Sequence, residues 1–98
     1  MAKICFISQP MSGKSIEEIA TERNAIKEQM NKMFGDCVFL HSFFSDFNGS
    51  PIEFLARGLD VMAKADVVVF AKGWEAARGC RIEHAVAEEY GLTIFEIS

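Results

Sequence analysis

The stretch Ala65-Asp66-Val67-Val68-Val69-Phe70-Ala71, followed at once by Gly73-Trp74-Glu75-Ala76-Ala77-Arg78-Gly79-Cys80-Arg81-Ile82-Glu83, decides the fold. A β-branched run bounded by a charge and a glycine fits a strand covered on both faces. The loop after it opens a helix from about Gly79 to Tyr90, stopped by Gly91. At about 100° per residue, Arg81, His84 and Glu88 share one face of that helix, and Ile82, Ala85, Val86 and Tyr90 spread over the other. Glu83 falls on the apolar side, between Val86 and Ala87. Burying an unpaired charge is costly, so a carboxylate placed there needs a partner or a task.

Upstream, Lys3 to Ile7 reads as a short apolar strand, broken by Ser8-Gln9-Pro10-Met11-Ser12-Gly13. Ser15-Ile16-Glu17-Glu18 is a capping-box pattern, in which serine and glutamate each satisfy a free amide at a helix start. Ile16, Ile19, Ala20, Ile26, Met30, Met33 and Phe34 follow at helical spacing, and Gly35 supplies the stop. Cys37 to Leu40 is a second strand. Ser50-Pro51-Ile52-Glu53 opens a second helix with a capping serine and a proline in its first position, and Ile52, Leu55, Leu59 and Met62 give it a core face. A last strand runs from Leu92 to Ile97.

Alternating strands and helices imply an α/β fold with a parallel sheet, helices on both faces and right-handed crossovers. For so short a chain the expected form is a four-stranded flavodoxin-like, Rossmann-type sheet in the order 2-1-3-4. Ligands in such sheets bind beyond the carboxyl ends of the strands where the order reverses, here between strands 1 and 3. The loops that meet there are 8 to 15 and 72 to 79.

The 98 residues, half of them hydrophobic, suffice for one domain spanning 1–98. A net charge of −4 with no Lys/Arg cluster argues against a nucleic-acid polymer as partner. Cys5, Cys37 and Cys80, odd in number and widely spaced, read as reduced thiols, which points to the cytoplasm. The N-terminal apolar stretch is too short for a signal peptide, and no segment reaches the ~20 apolar residues that span a bilayer. His41 and His84 are remote in sequence from each other and from the cysteines, so neither a metal nor another cofactor is implied.

Gly13-Lys14-Ser15 invites comparison with a phosphate-binding P-loop. Ser8 in place of the first glycine, Pro10 within the turn and the lack of a strand ending in a metal-binding aspartate weaken it. The loop is then either a plain capped turn or a set of small residues whose amides meet an anion at a helix start. Glu83 either caps its helix, pairs with Arg78 or Arg81, or serves as a nucleophile kept ionised by the helix dipole. Trp74 belongs to a core or interface, or stacks on a planar ring; Arg78 is solvated, or neutralises a phosphate. Phe43, Phe44 and Phe47 suit a packed loop or a subunit contact, and with Trp74 they lead to the expectation of a homo-oligomer.

Ile7-Ser8-Gln9-Pro10-Met11-Ser12-Gly13, Ala65 to Val69, Gly73-Trp74-Glu75, Arg78-Gly79 and Ile82-Glu83-His84-Ala85, in that order, resemble the nucleoside 2-deoxyribosyltransferase-like superfamily. The likeness is to a small, often phage-borne branch of it, and it covers nearly the whole chain. It implies an oligomer with sites near subunit contacts and chemistry at the N-glycosidic bond of a nucleoside or nucleotide. Glu83 would attack C1′ of the sugar, and Ser8, Met11, Ser12 and Gly13 with Arg78 would hold a 5′-phosphate. Gly73, Trp74 and Gly79 would complete the pocket, Trp74 near the base. The resemblance also implies an aspartate eight residues before Asp66 to protonate the leaving base, but that position is Gly58. Asp60, Asp46 or Glu75 is left to supply the acid.

Overall fold

A computed structural model describes residues 2–42 and 48–97. Asp46 and the phenylalanines of 43–47 lie outside the described residues. The element order is β1 (Lys3–Ser8), α1 (Ile16–Phe34), β2 (Cys37–Phe39), α2 (Pro51–Met62), β3 (Val67–Phe70), a 3-10 turn (Trp74–Ala76), α3 (Arg78–Glu89) and β4 (Thr93–Glu96). The sheet is parallel throughout, as the alternation of elements implies, and its order is the expected β2-β1-β3-β4.

The period of two along each strand divides the core into two layers. Cys5, Ile7, Val67 and Val69 face α1 and meet Ile26 and Met30. Phe6, Val68 and Phe70 face the other way, with Met62 of α2 and Ala87 of α3. All four residues of β3 are buried, so this strand carries both layers. Asp66 has a structural task at its base, where its carboxylate accepts a hydrogen bond from the Ile4 amide at 2.9 Å and ties β3 to β1.

The helix starts are built as the sequence specifies. Ser15 with Glu18 and Ser50 with Glu53 form reciprocal capping boxes, and Pro51 opens α2. Gly35 ends α1 with φ +76°, a left-handed value that favours glycine. Two helix faces differ from expectation. The stripe of α1 buried against the sheet is Ile19, Arg23, Ile26 and Met30, while Ile16 and Met33 are exposed. On α2, Ile52 is 77% exposed and the innermost residues are Gly58 and Met62. The α2 axis therefore turns its first turn away from the core and toward a cavity.

Candidate active site

β1 and β3 pair with Ser8 opposite Phe70, so both strands end at one level, and a cavity of about 1210 Å³ opens beyond them. Its walls come from the loop after β1, the start of α2 and the start of α3. Ser8 at the end of β1, Met11 and Ser12 of the loop after it, and Arg78, Gly79 and Glu83 of α3 line this one space. The crevice between strands 1 and 3 that the topology predicts is thus present.

At its centre, the Ser8 hydroxyl donates to Oε1 of Glu83 at 2.6 Å. Ser8 is buried at the end of β1, and Glu83 reaches it from the second turn of α3. Oε2, the other carboxylate oxygen, points at α2, where a Cβ on Gly58 would stand 2.7 Å away. Only a residue without a side chain leaves Glu83 this position, since real Cβ contacts essentially never come under 3.0 Å. Burial is the main influence on the carboxyl and raises its pKa above the ordinary value, against a smaller lowering by Ser8. Burial thus acts against the helix start, which the sequence reading expects to keep this carboxylate ionised. Neither Arg78 nor Arg81 forms an ion pair with Glu83; the Arg81 guanidinium donates to the Glu75 carbonyl at 2.9 Å. Cys80 lies beside Ser8, and burial pushes its thiol up as well.

The helix starts around the cavity differ, those of α1 and α2 being closed by their own capping boxes. The first turn of α1 is satisfied by its own Ser15 and Glu18. At α3 the N-cap is Ala77, no side chain caps the turn, and no acidic residue occupies it. Ala77, Arg78, Gly79 and Cys80 border the cavity, so the free amides of this turn and its dipole are the local feature suited to an anion. Lys14 and Gly13 are not part of the cavity wall. Lys14 is paired with Glu22 at 3.3 Å, which removes the lysine that a P-loop reading needs.

Trp74 and Gly73 also stand outside the cavity wall. The indole stacks on the His84 ring, with centroids 4.0 Å apart and planes within 6°. His84 is held at both ring nitrogens, by Glu88 at 3.3 Å and Glu96 at 2.7 Å. Trp74 thereby fastens the 3-10 turn to α3 and, through the His84–Glu96 pair, to β4. Asp60 is exposed on α2 and does not border the cavity. Glu75 is likewise exposed and outside it.

A second polar group supports the floor. Gln9 donates to the Ile19 carbonyl and to Glu22, each at 2.9 Å, and accepts from Arg23 at 3.2 Å. Arg23 also donates to the Leu40 carbonyl and to Ser42, whose hydroxyl donates to the Ile7 carbonyl at 2.8 Å. One buried guanidinium thus joins α1, the end of β1 and the segment after β2. The signal was present in the sequence: Arg23 sits in the Ile19, Ile26, Met30 stripe, where an arginine has to find partners. The contribution of α2 to the cavity was signalled less directly, by more apolar residues in its first turns than one core stripe needs.

Among the described residues, no group of three or more His, Cys, Asp or Glu is placed to hold a metal ion. No helix of the described residues is long and apolar enough to cross a membrane. No curated protein and no solved structure matches the chain. A family model matches residues 3–96, the whole of the sheet and the cavity it supports, and the chain therefore belongs to the family described as a domain of unknown function, DUF4406.

Proposed function

We propose that the cavity takes a nucleoside or nucleotide and that Glu83 attacks C1′ of the sugar, releasing the base. The observation that carries this reading is the carboxylate of Glu83, oriented by Ser8 at 2.6 Å and given room by Gly58, at the head of a cavity with an uncapped helix start. A fixed carboxylate stabilises an oxocarbenium-like transition state and then traps it as a glycosyl ester, which water or a second base resolves. A 5′-phosphate would lie at the first turn of α3, near Arg78 and Gly79, with Ser12 and Met11 across from it. The resemblance to the nucleoside 2-deoxyribosyltransferase-like superfamily supports the same assignment of Glu83. The working form is a homo-oligomer in which a second copy covers the apolar rim of Ile52, Phe54 and Ile82.

Free base measured by chromatography after incubation with nucleoside 5′-monophosphates tests the reading. Release that disappears in Glu83→Gln, while the nucleotides still raise the melting temperature, supports it. The second reading, a module that binds a nucleotide or nucleotide-derived signal without turnover, is favoured by Gly58 in the place of an expected acid. Stabilisation without release in the unaltered protein would establish that reading and dismiss the first.

A further inference from the structure

The direction of the Ser8 hydroxyl is set by the peptides on either side of it, and each is anchored. The peptide after Ser8 is held within the sheet, where the Ser8 carbonyl accepts from the Ala71 amide at 2.9 Å. The peptide before it lies beyond the end of β2. The Cys5 carbonyl still accepts from the Leu40 amide at 2.9 Å, but one step further along β1 the Ile7 carbonyl accepts instead from the Ser42 hydroxyl, at 2.8 Å. A side chain thus takes over where the short second strand stops.

That side chain is aimed by Arg23. Nη2 of the guanidinium donates to the Ser42 hydroxyl at 2.5 Å and to the Leu40 carbonyl at 3.3 Å, and Nη1 donates to Gln9 at 3.2 Å. Gln9 is anchored in turn to the Ile19 carbonyl and to Glu22. Both chain neighbours of Ser8 are therefore tied to one planar fork, whose donors keep a fixed geometry. The fork is buried, and an apolar residue in the stripe of Ile19, Ile26 and Met30 would pack α1 at a lower desolvation cost. What the guanidinium adds is direction.

We propose that Arg23 is a positioning residue of this site: through Ser42 on one side and Gln9 on the other, it orients the end of β1 so that the Ser8 hydroxyl meets Oε1 of Glu83. Arg23 is not part of the cavity wall and acts only through these two neighbours. Its catalytic value rests on the reading of Glu83 as nucleophile, whereas the alignment itself is measurable without turnover.

The test follows the titration of the Glu83 carboxyl by carbon NMR in the full chain, beside base release. Arg23→Lys keeps a charge but cannot reach Gln9, Leu40 and Ser42 together. Its midpoint should move to higher pH, as in Ser8→Ala, because the Ser8 hydrogen bond is what lowers it. The double variant Ser8→Ala with Arg23→Lys should move no further than Ser8→Ala alone. Ser42→Ala, which frees the Ile7 carbonyl and leaves Arg23 in place, should move it the same way. Base release in Arg23→Lys should fall about tenfold in kcat, with KM changed by less than about twofold.

An unmoved midpoint in folded Arg23→Lys and Ser42→Ala would overturn the proposal. Full additivity in the double variant would overturn it as well, since Arg23 would then act on Glu83 by a route other than Ser8. Should Arg23→Lys fail to fold, the midpoint of Ser42→Ala decides alone. Moved midpoints in a protein that releases no base would uphold the positioning role and dismiss the nucleophile reading.

Discussion

A side chain at Gly58 and the present position of the Glu83 carboxylate exclude one another: a Cβ there would meet Oε2 at 2.7 Å. The glycine lies inside α2, with an ordinary helical backbone, so nothing in the turn of the chain demands it. Its reason is the neighbour on α3. Stability and activity should therefore respond differently to the same substitution.

Gly58→Ala is expected to hold or raise the melting temperature, because alanine is favoured over glycine in a helix interior by about 1 kcal/mol. The new methyl pushes the carboxylate away from Ser8, and misplacement of a reacting group by about 1 Å costs about a hundredfold. Thermal denaturation and base release on one preparation check this. Loss of fold together with activity would show the glycine to be a packing requirement instead.

Glu83→Gln should stabilise the protein at neutral pH. The carboxyl pKa is raised on folding, so its contribution is fully present below the ordinary value of 4.5 and is lost as pH rises through the raised one. Glutamine keeps the Ser8 contact without the buried charge. A gain of about 1 kcal/mol corresponds to about 4–8 °C in a domain of this size. Melting curves should diverge above pH 4.5, with the unaltered chain falling relative to the variant. Parallel curves would mean that the carboxylate is solvated.

Ser8→Ala removes the one hydrogen bond that favours the ionised form of Glu83, a contact to a charged group worth about 1.5–3 kcal/mol. The carboxyl then titrates at higher pH, and the acid limb of base release moves in the same direction. An unmoved limb would assign that limb to another group.

Trp74→Leu is expected to cost about 2 kcal/mol of stability, through the loss of the stack on His84 and the packing on Phe70. Nucleotide affinity should stay near that of the unaltered protein. A large loss of affinity with stability preserved would return Trp74 to the binding site.

Light scattering should give a mass above that of a single chain, since Ile52 and Phe54 of α2 and Ile82 of α3 expose apolar surface at the cavity rim. Ile52→Ser should then lower the mass. A monomer at micromolar concentration would leave that rim for the ligand.

Much of this architecture is legible in residue order because its signals are local. Val67 to Phe70, the two serine-glutamate boxes and Gly35 each specify their own element, and a strictly alternating order leaves few topologies. Glu83 was legible too, as a charge among apolar positions. Where sequence alone misplaced residues, the cause lay in contacts between distant segments. Ile52 fits the core spacing of α2, yet the helix is turned so that Gly58 meets α3. Trp74 sits in a loop beside the cavity, yet His84, two turns along α3, captures its ring through a stack that no spacing encodes. The network from Gln9 to Ser42 joins three segments and shows in the sequence only as one arginine in an apolar stripe.

The cysteines give the molecule two built-in reporters of its own opening. Cys5 is wholly buried in β1, where burial and the nearby Cys37 push its thiol up to about 12, and Cys80 is buried at the head of α3. Thiol reagents attack the thiolate, so both sites stay silent while the fold is closed. Labelling at Cys80 alone would time the loosening of α3 around the cavity, and labelling at both would time the parting of the sheet. A ligand that slows only the first clock is one that sits where Glu83 and Ser8 meet.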